Sequence, residues 1–202
     1  MDLKRLIWDD GVSVAEVATA LDAATPDARL VATRALDRAD QRALYRKAKS
    51  SPPITLAHFV PDDRAPVEPV RHFGRNTLPT PGSLRLFEKR FCKPKDGAAR
   101  LFGYNESPFR PLIGPGFFVA VATDANPSWA ERGGVVVDYF QIPDGPVAQG
   151  WPPVIPNTQG LQKYVYNKTR DFMRKASTHV SIGAAYKVET SLDHYFILVR
   201  ER

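Results

Sequence analysis

The sequence has a single cysteine, Cys92, among 202 residues. One thiol cannot close an internal disulfide, so packing and hydrogen bonds must hold the fold. A reducing, cytoplasmic setting is expected. The four histidines, His58, His72, His179 and His194, match no His-x-x-x-His or Glu-x-x-His spacing, so no metal site is expected. No apolar run approaches the ~18 residues of a membrane helix, and the opening MDLKRLIWDDG lacks the apolar core of a secretory signal. There is no G-x-S-x-G elbow. Gly114-Pro115-Gly116 and Gly133-Gly134 stand before β-prone runs instead of between a strand and a helix. They read as turns, not phosphate cradles, and no cofactor is expected. No internal repeat or low-complexity tract occurs.

Proline and positive charge are plentiful. The 18 prolines exceed the usual share and imply stiff, extended connections. The net charge is +6 and is unevenly distributed: residues 1–79 carry +1 and residues 80–202 carry +5. Such an excess favours anionic ligands, nucleic acid or an acidic surface.

Three regions follow. Residues 1–50 read as a helical subdomain. Ser13-Val14-Ala15-Glu16 is a capping box that opens a helix to about Ala23. Thr25-Pro26 caps a second helix, and Asp37 a third over about 38–48. Leu30, Val31, Leu36 and Leu44 give a thin apolar stripe that must dock on the rest of the chain or on a second subunit. Residues 51–82, with seven prolines, read as a wrapping segment. Residues 83–202 read as a β domain with strands at about 84–91, 99–104, 116–123, 134–142, 180–188 and 194–200. Between the fourth and fifth strands, apolar positions Leu161, Tyr164, Val165, Phe172, Met173 and Ala176 predict one long helix from about 158 to 177. The expected class is α+β: a small antiparallel barrel or strongly curved sheet with a helical cap.

The stretch VVVDYFQIP, 135–143, places Asp138 on one strand face with Val136, Phe140 and Ile142. If that face is inward, Asp138 is either the polar floor of a cavity or half of a buried ion pair, with Lys89, Arg90, Arg174 and His179 as partners. Aromatics are numerous for so few strands, and a barrel can use them to fill its interior or to line a pocket. The candidate ligand residues are Lys89, Tyr104, Asp138, Phe140, Arg174, His179, Tyr186 and Tyr195. They predict a non-catalytic site for a small apolar or amphipathic, anionic molecule.

Other readings stay open. An acid–base enzyme would use Asp138, His179 and a tyrosine. Interleaved cations and aromatics (Phe87, Lys89, Arg90, Phe91; Tyr164, Tyr166, Lys168, Arg170) would suit single-stranded nucleic acid or a protein partner. The N-terminal helices would supply a homo-oligomer contact. Cys92 lies among Glu88, Lys89, Arg90, Lys93 and Lys95, yet it reads as a small buried residue.

VVVDYFQIP, DFMRKASTHVSIGAAYKV and HYFILVRER, taken in order, resemble the lipocalin-like small β-barrel domains of the GXWXG type over about the last seventy residues. FEKRF stands where that motif would be. The chain also resembles an uncharacterised bacterial family with KRFC, GYN, GPGFFVA and HVSIGAAY blocks. These resemblances imply a barrel and no particular chemistry.

Overall fold

A computed structural model describes residues 1–79 and 82–201. Four helices come first: α1 (Leu3–Trp8), α2 (Val14–Ala23), α3 (Pro26–Arg34) and α4 (Arg38–Lys47). Each starts at an oxygen-bearing side chain that accepts from an orphan backbone N–H: Asp2, Ser13, Thr25 and Asp37. At Ser13 and Asp37 the residue three positions on, Glu16 and Asp40, reaches back to complete a capping box. A one-turn helix, α5 (Leu56–Phe59), follows.

Eight strands then form a closed antiparallel barrel: β1 (Val70–Asn76), β2 (Leu86–Cys92), β3 (Leu101–Glu106), β4 (Phe118–Ala122), β5 (Val135–Asp138), β6 (Thr169–Lys175), β7 (Val180–Lys187) and β8 (Thr190–Arg200). Each strand pairs with the next, and β8 closes on β1 with His72 opposite Arg200 and Asn76 opposite Phe196. Short helices α6 (Arg110–Ile113), α7 (Pro127–Ala130) and α8 (Gln162–Val165) lie in connections. None of the helices among the described residues is long and apolar enough to cross a membrane.

Two strands correct the sequence reading. β1 lies within the proline-rich stretch, where VRHFGRN carries no proline to interrupt a ladder. β6 replaces the C-terminal part of the helix expected over 158–177, and only α8 is helical there. Lys168 takes a left-handed conformation (φ 61°) that stops helical propagation. Thr169, Asp171 and Met173 then alternate with Arg170, Phe172 and Arg174. The first set is buried, and so is Phe172 on the other face, so a period of two was hidden under an apparent period of 3.6.

The inner face of the barrel is filled with Phe91, Leu101, Phe118, Val135, Val137, Met173, Phe196 and Leu198. Eight strands give an interior that side chains can fill. Gly103 and Gly183 allow this packing: a Cβ at either would collide with the ring of Phe118 or Phe196. One end is plugged by Phe59, whose ring centroid is 4.9 Å from that of Phe91. At the other end Tyr166 stacks on Tyr139 at 5.3 Å and 18°. There Asn157 donates to the carbonyls of Phe117 (2.7 Å) and Tyr139 (2.9 Å).

The outer face of β7 and β8 carries Val180, Ile182, Ala184, Ile197 and Val199. These pack against Leu3, Ile7, Val17, Leu21, Leu36 and Leu44 of the helical cap. Leu36 and Leu44 of the apolar stripe are thus buried against the chain's own barrel wall and Leu30 packs beside them, whereas Val31 is exposed. Arg42 and Arg38 pair with Asp193 across the same junction.

Candidate functional site

Strand alternation decides where each candidate residue points. On β2, Phe87, Lys89 and Phe91 face inward and Glu88, Arg90 and Cys92 outward; on β5, Val135, Val137 and the following Tyr139 face inward, with Val136 and Asp138 outward. Among the eight sequence candidates, Lys89 alone reaches the barrel interior.

Inside, the Lys89 ammonium donates to Asp171 Oδ2 (3.1 Å) and Asn105 Oδ1 (3.0 Å), and it contacts the Tyr139 hydroxyl. Tyr139 in turn reaches Asp171 Oδ2 at 3.2 Å. Asn105 Nδ2 donates to the Gly116 carbonyl (3.1 Å). The rings of Phe118, Tyr139 and Phe196 stand 4.9–5.0 Å from the ammonium. Burial pushes Lys89 below its ordinary value, and the Asp171 charge opposes that. Burial likewise pushes Asp171 up against the pull of Lys89, and it drives Tyr139 well above the tyrosine range. The ammonium, the Tyr139 hydroxyl, the Asn105 amide and Asp171 Oδ2 are joined to one another by hydrogen bonds, so the centre acts as an ionic rivet within packed aromatics.

Asp138 lies outside. Its partner is Arg170, directly opposite on β6 (Nε–Oδ1 3.3 Å), and not Lys89, Arg90, Arg174 or His179. Asp138 also accepts from the Phe140 N–H (3.0 Å) and from Gln141 Nε2 (3.2 Å). The Arg170 guanidinium lies between Trp129 (4.6 Å) and Phe140 (4.1 Å) and pairs with Glu189 (3.1 Å). Next to it, Arg132 covers Tyr186 (4.8 Å) and pairs with Glu189 (2.6 Å). Asp138, Phe140 and Tyr186 therefore share one outer face, where two arginines are matched by two carboxylates.

The other candidates lie apart from these. Tyr104 packs outside β3 against Trp151 (4.9 Å) and donates to Glu106 (3.1 Å); burial raises its hydroxyl to about 12. Tyr195 packs on Tyr45 (5.7 Å) under the helical cap. His179 precedes β7, whereas Asp138 shares its row with Tyr186 near the far end of that strand. Seven residues of strand amount to roughly 20 Å, so Asp138 and His179 do not form an acid–base pair. Cys92 is buried outside the barrel, and burial raises its thiol to about 11 despite the neighbouring cations.

Arg174 belongs to a different feature, a surface groove of about 670 Å³. Pro52 and Pro53 cannot donate to a sheet ladder, so residues 51–55 run beside the barrel. The Ile54 backbone crosses so close to Gly134 that a Cβ there would stand 2.6 Å from the Ile54 carbonyl. The groove lies between this strap and the β4–β5 hairpin, with apolar walls from Ile54, Leu56, Ala57, Ala122 and Ala130. The Arg174 guanidinium stacks on Tyr45 (4.1 Å) and donates to the carbonyls of Tyr45 (2.7 Å) and Glu131 (2.8 Å). Lys49 and Lys175 also line the groove, as do the exposed carboxylates Asp124 and Glu131. Among the described residues, no carboxylate forms an ion pair with Arg174, Lys175 or Lys49. Sequence reasoning picked out Arg174 and read residues 51–82 as a wrapping segment, but did not bring the two together, because Ile54 and Arg174 are separated by more than a hundred positions.

Comparison with protein-family models, with curated proteins and with solved structures finds no match to this chain.

Proposed function

We propose that this protein is a non-catalytic binder of a small amphipathic anion, taken up in the groove beneath the 51–57 strap and not within the barrel. One observation carries the reading: an apolar groove contains a guanidinium that is held in place by carbonyls and neutralised by no carboxylate. Its volume of about 670 Å³ lies within the range of small-molecule sites, on the order of 300–1,000 Å³. In this reading the aliphatic walls take the apolar body. Arg174, with two of its five N–H groups engaged, takes the anionic head, aided by Lys175 and Lys49. The filled interior argues against the same ligand inside the barrel. The outer arginine–aromatic face supports nucleic-acid binding less well, because Asp138 and Glu189 already answer its charges.

Decanoate is a suitable probe, with calorimetry on the full chain. Saturable binding should weaken by roughly tenfold or more in Arg174→Gln, the loss of one charge-assisted contact. It should vanish in Ala57→Trp, which fills the groove. Binding unaffected by both changes would sink the reading.

A further inference from the structure

A second cleft, of about 520 Å³, lies between α3 and the strand ends on the other side of the helical cap. Three elements bring guanidiniums to it and a fourth brings an imidazole. Arg29 comes from α3, Arg71 from β1, His179 from the entry to β7 and Arg200 from the end of β8. The fold makes them neighbours: the Arg200 N–H donates to the His179 carbonyl (2.9 Å), Glu201 N–H to the Arg71 carbonyl (2.9 Å), and Asp22 accepts from the Thr178 N–H (3.1 Å), which ties the end of α2 to the start of β7.

The charges here are unevenly met. Arg71 is taken up by Glu201 (2.7 Å). Arg29 is buried, and it donates to the carbonyls of Leu21 (2.8 Å), Asp22 (3.3 Å) and Ala24 (3.0 Å) at the end of α2, dipoles instead of a full counter-charge. Arg200 donates to the His58 carbonyl (2.6 Å) and forms no ion pair among the described residues. His179 makes its hydrogen bonds through its backbone, and its ring has no hydrogen-bond partner among the described residues. The remaining carboxylate in the lining, Asp27, is exposed. Burial lowers both Arg200 and His179, and neighbouring positive charge adds to it: Arg64 acts on Arg200, partly offset by Asp63, and Arg29 and Arg200 act on His179, partly offset by Asp22. Like charges held together in a partly buried cleft favour an anion that several of them can share. Leu30, Phe73 and Val199 supply an apolar wall beside them.

We infer that this cleft binds a phosphate monoester with a compact apolar body. The dianionic head is shared by Arg200, His179 and the edge of Arg29, and the body lies against Leu30 and Phe73. A dianion suits two guanidiniums and an imidazole that the bound charge would help to protonate better than a single carboxylate does, and a guanidinium fork matches phosphate oxygens.

The test is calorimetric titration of the full chain with phenyl phosphate, with NMR of the His179 ring as a second readout. One saturable site is expected, with His179 ring shifts that saturate in parallel. His179→Gln and Arg200→Gln should each weaken binding by about tenfold, the loss of one charge-assisted hydrogen bond. Leu30→Glu should abolish binding by placing a carboxylate in the wall, and Arg174→Gln, in the other groove, should leave it unchanged. If Arg200→Gln unfolds, His179→Gln and Leu30→Glu decide the matter. Three results would overturn the inference: no saturable binding at millimolar ligand, benzoate binding as tightly as phenyl phosphate, or binding that Arg174→Gln removes and the cleft variants do not.

Discussion

Replacing Lys89 by Met isolates the ionic rivet of the barrel. The Lys89 side chain is 2% exposed and that of Asp171 8%, with 3.1 Å between their charged atoms. Removing the ammonium leaves a buried carboxylate with only Tyr139 beside it, a loss of roughly 3–5 kcal/mol. For a chain of this size that corresponds to a fall in melting temperature of roughly 6–20 °C. Removing both charges, in Lys89→Met with Asp171→Leu, should recover most of the loss, because the hydrophobic pair pays no desolvation cost. Acidity supplies a further check. The folded state already raises Asp171 through burial, and Lys89 opposes that. Without Lys89 the folded value rises further, so the penalty is fully relieved below the ordinary carboxylate value and grows as pH climbs from there to the raised one. The difference between Lys89→Met and the parent chain should therefore shrink from pH 7 to pH 5. Urea unfolding of the parent, both single variants and the double variant at the two pH values measures all of this. A single-variant loss below about 1 kcal/mol, or a double variant no better than the single, would refute the rivet.

Other outcomes follow from the same structure. His58 and His72 are buried and neutral: burial lowers His72 to about 3 and His58 well below its ordinary value. Both groups therefore contribute stability above pH ~6.5 that is lost as pH falls, by up to about 1.4 kcal/mol per pH unit for each histidine; His72→Gln, retaining a donor for the Phe59 carbonyl that His72 Nε2 meets at 2.9 Å, should flatten that slope in acid denaturation. Gly103→Ala should destabilise by roughly 1–3 kcal/mol through overpacking against Phe118, read as a lower urea midpoint. Cys92, buried and raised to about 11, should resist iodoacetamide in the native state and react once the chain is unfolded in urea.

Three of the four capped helices, α2 to α4, and most of the strands were legible because their signals are local. Ser13 with Glu16, and Thr25 with Pro26, mark helix starts within four residues. GPGFFVAVAT and VVVDYF are β-prone without reference to anything distant. What failed to read was whatever depends on which face a residue occupies. Val135, Val136, Val137 and Asp138 are all buried, so apolarity on both faces concealed that Asp138 faces outward towards Arg170. Lys89 was picked out, but its partner Asp171 was not, since TRDFMRK had been taken for helix; alternation of Thr169, Asp171 and Met173 was the signal available. The groove and the cleft depend on long-range closure of the barrel and on a proline strap. No periodicity in one stretch encodes either.

The measurement that bears most directly on the proposed function is an amide chemical-shift titration of uniformly 15N-labelled protein with decanoate. Saturating shifts are expected at Ile54–Ala57, Thr123, Gly133–Gly134 and Arg174, with Lys89, Tyr139 and Phe196 inside the barrel unmoved. Shifts centred on those interior residues, or no saturable shifts at all, would contradict a ligand site beneath the strap.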